Sequence, residues 1–311
     1  MQHDVYRPNA GGRFRAVLDD AGYPLAIHAR VAGQSLFGAT RKSWLDQTPE
    51  GAWDESMVDG IYNQSYRLPH FLVETVDTPL PIPVYFMRSV GSTAAVFFWE
   101  SFITELAHRA GIDQYAYRRN LLADDPLALR VLDAAAQASG WGTPPPPGTF
   151  RGIAYNCYIG RGGALQDLCR RGGGAASRSA TGSPSRGCSA RSIPASWSTR
   201  TRSKAQIEGG IGFALTNTLK SRITFSNGGA DQTQLLRLSA AAHRRDAGDR
   251  ADRARQRSPA AGIRRGACWR RSRPPLRRQL LHATGRRLDV MPFPQSAFRV
   301  TDGADDPAPA R

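Results

Sequence analysis

Few residues of this chain stand at spacings that support chemistry. The four cysteines, Cys157, Cys169, Cys188 and Cys268, are 12, 19 and 80 residues apart. No zinc pattern has those spacings, and four are too few for a disulfide framework of this length, so they read as free thiols. His3, His28 and His108 are isolated and form no ligand set; packing or surface roles are expected. No Ser-His-Asp arrangement stands out. Glu100 and Glu105 fall on a helical stretch, where a solvated or structural role is expected ahead of a catalytic base. Gly209, Gly210 and Gly212 match neither the dinucleotide nor the phosphate-loop pattern and read as close-packing glycines. Residues 234–280 hold 14 Arg and no Lys. Such a run binds phosphate backbones through counterion release, but Trp269 is its only aromatic, so a base-stacking platform is missing. No helix-turn-helix, zinc-finger or RNA-binding sheet signature accompanies it. Charge-driven, non-specific nucleic-acid binding is therefore the rival to an enzymatic reading, and a merely structural remnant is the third.

The elements that would position these residues are clear in the first half. Arg13–Leu18 and Pro24–Val31 alternate around the turn signal Asp19-Asp20-Ala21-Gly22, which predicts a β-hairpin. Leu80–Tyr85 is interrupted by proline and fits an edge strand or an extended lead into a loop. Arg88-Ser89-Val90-Gly91-Ser92-Thr93 is a polar loop. From Ala94 to Arg109, Ala94, Phe98, Phe102 and Leu106 recur at four-residue steps, predicting an amphipathic helix with Thr93 as N-cap and Gly111 as its stop. A second helix is predicted from Pro126 to Ser139, ended by Gly140, and Thr143–Gly148 is a stiff proline connector. Order resumes at Ala205–Leu215, followed by a short strand at Ser221–Phe225 and a turn at Asn227-Gly228-Gly229.

Composition divides the chain. Residues 1–160 carry 13 Lys+Arg and 16 Asp+Glu, whereas 161–311 carry 29 and 10, so the whole excess of positive charge lies in the second half. No apolar run is long enough for a transmembrane helix. The N-terminus lacks the apolar core of a secretory signal, which makes the cytoplasm the default expectation.

Six segments carry a resemblance. Met1–Pro8 (MQHDVYRP), Arg88–Gly91 (RSVG), Phe98–Ala107 (FWESFITELA), Arg151–Ala154 (RGIA), Ala205–Gly210 (AQIEGG) and Ala283–Leu288 (ATGRRL) follow one another in order. Together they resemble the C-terminal half of the molybdopterin-binding subunit of the isoquinoline 1-oxidoreductase type, in the xanthine dehydrogenase and aldehyde oxidase family. The resemblance implies an α+β fold, a partial molybdopterin-binding domain. It implies insertion of water-derived oxygen into an aromatic N-heterocycle or an aldehyde, with a molybdenum–molybdopterin cofactor and a small iron–sulfur partner subunit. It implies that Arg88, Ser89, Val90 and Gly91 form the loop whose backbone N–H groups face the molybdenum ligands, the alternative being a helix-start loop with a solvated Arg. Gln206 matches the glutamine that bonds the pterin, the alternative being a surface glutamine opening a helix. No protein residue is implied as a direct metal ligand. It also implies that the N-terminal half of such a subunit is missing here.

The family's catalytic Glu, which takes the proton from the attacking oxygen, has no counterpart. No Glu follows Glu208, and Ile263-Arg264-Arg265-Gly266 stands near its place; an Arg cannot act as a base. The resemblance fails in two Arg-rich stretches whose composition fits GC-rich codons read out of frame. Ser192–Ser203, shifted, can read D-P-G-L-V-V-D-P-D-T-I-K, and Ala267–Leu276 can read L-L-A-P-V-A-P-A-V; both resemble family segments. The expected organisation is 1–163 molybdopterin-domain-like, 164–204 out of frame and disordered, 205–233 a remnant of the same domain, 234–280 out of frame and disordered, and 281–311 a family-like end and tail. The chain alone is expected to be inactive and not to retain the cofactor.

Overall fold

The computed structural model describes residues 4–40, 54–144, 150–158, 172–180, 188–192, 200–219, 221–232, 250–253 and 290–293. The hairpin forms as its alternation predicts. Strands β1 (Ala10–Leu18) and β2 (Pro24–Gly33) pair antiparallel. Between them Asp19 accepts from the Tyr23 amide at 2.7 Å and Gly22 takes φ +84°, which a side chain would resist. Ile27, Ala29 and Val31 turn inward from β2 and are buried. Strand β3 (His70–Asp77) then joins β2 in parallel, giving the order β1-β2-β3. The connection holds a short helix α1 (Leu36–Thr40) and a 3₁₀ turn at Glu55–Val58 capped by Asp54. The proline-interrupted segment before the loop is extended and makes one parallel bridge, Tyr6 to Val84.

Helix α2 (Ser92–Arg109) lies across this sheet and buries Trp99, Ile103 and Leu106 against it. It starts two residues earlier than Ala94, with Gly91 rather than Thr93 at the N-cap. Thr93 instead sits in the first turn and donates its hydroxyl to the Arg88 carbonyl at 3.2 Å. The C-terminal stop holds: Gly111 follows the helix at φ +67°. Helix α3 (Gln114–Leu121) and helix α4 (Pro126–Ala138) are each capped by an aspartate accepting two backbone amides, Asp113 and Asp125. Pro126 at the first turn costs α4 nothing, because that N–H has no helical partner anyway. Tyr117, Leu121, Leu132, Ile153 and Tyr155 complete one core with α2 and β2. Each such fully buried side chain contributes roughly 1.5–3 kcal/mol over an exposed one.

A second sheet has the order β4-β5-β6-β9: β4 (Phe150–Tyr158), β5 (Gly172–Ala180), β6 (Cys188–Ser192) and β9 (Arg250–Arg253). β5, β6 and β9 fall within 164–204 and 234–280, yet pair by backbone, β5 antiparallel to β4 over its whole length. Ladder hydrogen bonds need only main chain, and apolar β4 offers an edge to build on. Helix α5 (Arg200–Leu219) also begins inside the first of those stretches, before Ala205, and buries Ile207, Ile211, Ala214 and Leu215. The strand expected at Ser221–Phe225 is confined to β7 (Phe225–Ser226), which pairs with β8 (Gly229–Ala230). The turn is as expected, with Asn227 and Gly228 both at positive φ. The segments 145–149, 281–289 and 294–311, with the proline connector's end and the A-T-G segment, lie outside the described residues. Among the described residues no helix is long and apolar enough to cross a membrane.

Candidate functional site

Among the described residues, the loop before α2 holds the only two consecutive non-glycine residues at positive φ. Ser89 and Val90 follow one another at φ +78° and +50°. Left-handed backbone costs a non-glycine residue on the order of 1–3 kcal/mol, and β-branched valine tolerates it poorly. The turn is closed by the Val90 amide donating to the Met87 carbonyl at 2.8 Å. Gly91 lies flat on the 3₁₀ turn: a Cβ there would stand 1.3 Å from the Ser56 carbonyl oxygen. Only glycine fits. The next residue, Ser92, donates its hydroxyl to Asp59 at 2.5 Å. That turn is itself fixed by Asp54, which accepts from the Ser35 hydroxyl at 2.7 Å and from the Ser56 amide at 2.8 Å. The loop is thus held in a strained shape by a segment some thirty residues upstream.

The resulting surface suits an electron-rich ligand. The head of an 18-residue helix carries no side-chain cap, and helix N-termini favour negative charge. The Arg88 guanidinium lies over the Phe213 ring, 5.9 Å from its centre, and along Gly209 of α5. It is therefore engaged with a helix rather than simply solvated. Gln206 is one turn before Gly209 on α5. The structure so brings together the two parts that the sequence separates by more than a hundred residues: the loop 88–91 and the helix that carries Gln206. Val90, Gly91 and Thr93, with Arg7 and Met57, line the end of an open cleft of about 1100 Å³. Burial lowers the pKa of Arg7, and an arginine still remains charged there.

Glu100 has the structural role and not the solvated one. Its side chain and that of Arg118 are both 0% exposed, with Nη2 and Oε2 3.0 Å apart. The carboxylate also accepts from the Tyr66 hydroxyl at 2.7 Å and the Tyr155 amide at 2.9 Å. Arg118 donates further to Thr104 Oγ1 and to the Glu100 carbonyl. Burial alone would lower the Arg118 pKa, but the charge and hydrogen bonds of Glu100 outweigh it and hold the guanidinium above its usual value. Burial first, then the neighbouring Glu100 charge, pushes the Tyr66 phenol well up. Both oxygens of Glu100 are engaged and its side chain is fully buried, which makes it a structural anchor of the core. Glu105 is half-buried along the cleft, one helical turn beyond.

His28 pairs with Glu74 on the outer sheet face, and His108 is exposed; His3 lies outside the described residues. Cys157 is buried on β4. Among the described residues no group of three or more His, Cys, Asp or Glu could hold a metal ion. The supporting residues Asp54, Ser56 and Asp59, and the partner Arg118, were not legible beforehand. An Asp two residues before Ser56 signals a cap, but nothing local says what the capped turn will meet.

No family model matches the chain, and no curated protein does. Solved structures do. Quinoline 2-oxidoreductase from Pseudomonas putida 86 superposes at a TM-score of 0.65 with 12% identity, over 93% of this chain and 61% of that one. Aldehyde oxidoreductase from Desulfovibrio gigas gives 0.62 and 11%, over 96% and 49%. A Cu,Mo-CO dehydrogenase gives 0.65 and 10%, over 91% and 60%. The chain has the fold of the molybdenum hydroxylases. It spans about half to three fifths of the length of those chains.

Proposed function

We propose that this chain is part of a molybdenum hydroxylase of the isoquinoline 1-oxidoreductase type, acting with a small iron–sulfur subunit on an aromatic N-heterocycle or an aldehyde. The observation that carries this reading is the left-handed Ser89–Val90 turn, closed by a glycine that nothing else can replace and set beside the helix of Gln206. The residues present fit the pterin-held metal group. A loop held in a strained shape at the head of α2 is rigid main chain that carries no titratable proton. Arg88, Ser89, Val90 and Gly91 would hold the metal's ligands, and Gln206 the pterin. When bound, that group supplies two-electron oxidation with oxygen taken from water. The chain's own contribution is orientation: Gly91 brings the loop against Ser56, and Arg88 ties it to Phe213 on α5.

The proton acceptor is what this chain does not supply. Glu100 is committed to Arg118, and the region of the family's catalytic Glu is Arg-rich. Losing a general base costs on the order of 10²–10⁴ in rate, so the chain alone is inactive. The two Arg-rich stretches are read out of frame from the same gene. Purified chain should show no dye-linked oxidation of quinoline, and is expected to contain no stoichiometric molybdenum. A frame-restored subunit of full family length should give both, and Gly91→Ala in that background should remove the metal. Stoichiometric molybdenum in the chain as it stands overturns the reading that it is empty, and dye-linked oxidation overturns the inactive reading. Tight, salt-sensitive RNA binding without metal favours the nucleic-acid rival instead.

A further inference from the structure

The four-residue steps of α2 mark an apolar side, yet the structure turns a neighbouring side fully inward. Ala95, Trp99 and Ile103 are no more than 1% exposed, while Ala94, Phe98 and Phe102 are only half-buried. That half-buried stripe faces the open cleft, across from the inner face of β1. The two walls meet at two places. At Gly12 the rings of Phe14 and Phe98 close over the strand, 2.7 and 2.9 Å from where a Cβ would stand, and at the hairpin turn Gly22 rests on Ala110, just past the helix. From the loop 88–91 to that turn the cleft follows α2 from Thr93 to Arg109, about 24 Å. Ala10, Ala16 and Gly33 of the sheet and Ala94 of the helix line it with side chains too small to fill it, where a close-packed interface would interdigitate larger ones.

The two ends of the cleft differ in charge balance. Arg7 lines the loop end and is half-buried, and among the described residues no carboxylate pairs with it. The Ser56 hydroxyl, buried at the same end, has no hydrogen-bond partner among them either. The one carboxylate of the lining, Glu105, stands more than three helical turns beyond Thr93, toward Arg109. A charge drawn out of water without its counter-charge is costly, and a bound anion relieves that cost. We infer that this cleft binds a long-chain aliphatic carboxylate, its head on Arg7 beside the loop and its chain between β1 and the Ala94–Phe98–Phe102 stripe. A space this long, pinched at Gly12, suits a flexible chain rather than a compact ring system. Burial of the chain supplies affinity in proportion to its length, and the guanidinium fork, which matches a carboxylate, sets the direction of the head. The inference does not depend on the loop's role toward a cofactor.

Titration calorimetry tests it on the full chain with octanoate, decanoate and dodecanoate, and with decanol as the neutral counterpart. Affinity should rise about fourfold for each added methylene. Decanoate should bind at least about tenfold more tightly than decanol, the effect of a hydrogen bond to a charged group. Arg7→Gln should bring decanoate down to the level of decanol and leave decanol unchanged. Ala94→Leu, which fills the cleft from the half-buried side of α2, should block both. A flat chain-length series, or decanol binding as tightly as decanoate, overturns the inference. So does a preference for decanoate that survives Arg7→Gln, which would place the head on other arginines, and so does undiminished binding to Ala94→Leu.

Discussion

The two sheets of the molecule have the same main-chain chemistry and opposite side-chain supply. In β1-β2-β3, Ile27, Ala29 and Val31 alternate with exposed or half-exposed residues and seat the sheet on Trp99 and Ile103 of α2. In β4-β5-β6-β9 only β4 is apolar; β5 reads GGGAASRSA and β9 reads RADR. Backbone pairing can extend a sheet wherever an edge is offered, but burial of apolar surface is what outweighs the entropy of ordering a strand. The first sheet is therefore part of the core, whereas β5 and β9 bring little apolar surface of their own to the second.

The largest test of that contrast lies where α2 ties the two sheets together. Glu100→Gln leaves the Arg118 guanidinium buried without its counter-charge, and should cost about 3–5 kcal/mol in urea unfolding. Core strands come next. Ile27→Ala in β2 should cost roughly 2–5 kcal/mol, whereas Ser177→Ala in β5, opposite Ile153, should stay within about 0.5 kcal/mol. Equal costs at the two strands would erase the distinction. The smallest effect belongs to the outer face of the first sheet. The hydrogen bond from Arg30, then that from His28, holds the Glu74 carboxyl below its usual range. A depressed carboxyl contributes stability above its unfolded pKa and loses it as pH falls through the folded one. Glu74→Gln should therefore lower Tm slightly at neutral pH and not at all in strong acid, which parallel thermal melts would read.

Much of the first half was legible because its signals are local. The β1–β2 hairpin follows from alternation and an Asp-Asp-Ala-Gly turn, α2 from four-residue apolar steps, α4 from Leu129, Leu132 and Ala136 on one side, and both helices from glycine stops. Helix α3 was not legible: Gln114–Leu121 is polar overall, and its helical state rests on the Asp113 cap and on a core that accepts Tyr117 and Arg118. β3 was hidden by its exposure, since Leu72 and Val76 face outward beside His70 and Glu74. β5, β6 and β9 have no side-chain signal for any method of reading to find. At the candidate site the loop 88–91 was visible as a motif. Its reason was not, because the carbonyl that forbids a side chain at Gly91 comes from Ser56, and only the fold brings them into contact.

The Glu100–Arg118 pair also sets a clock. The Tyr155 amide donates into that pair, at the junction of α2, α3 and β4. Its hydrogen can leave for solvent only when the carboxylate lets go, and the carboxylate lets go only when three elements separate at once. Exchange at this one amide therefore reports the opening of the whole layer, while the turns and edges around it flicker on faster timescales.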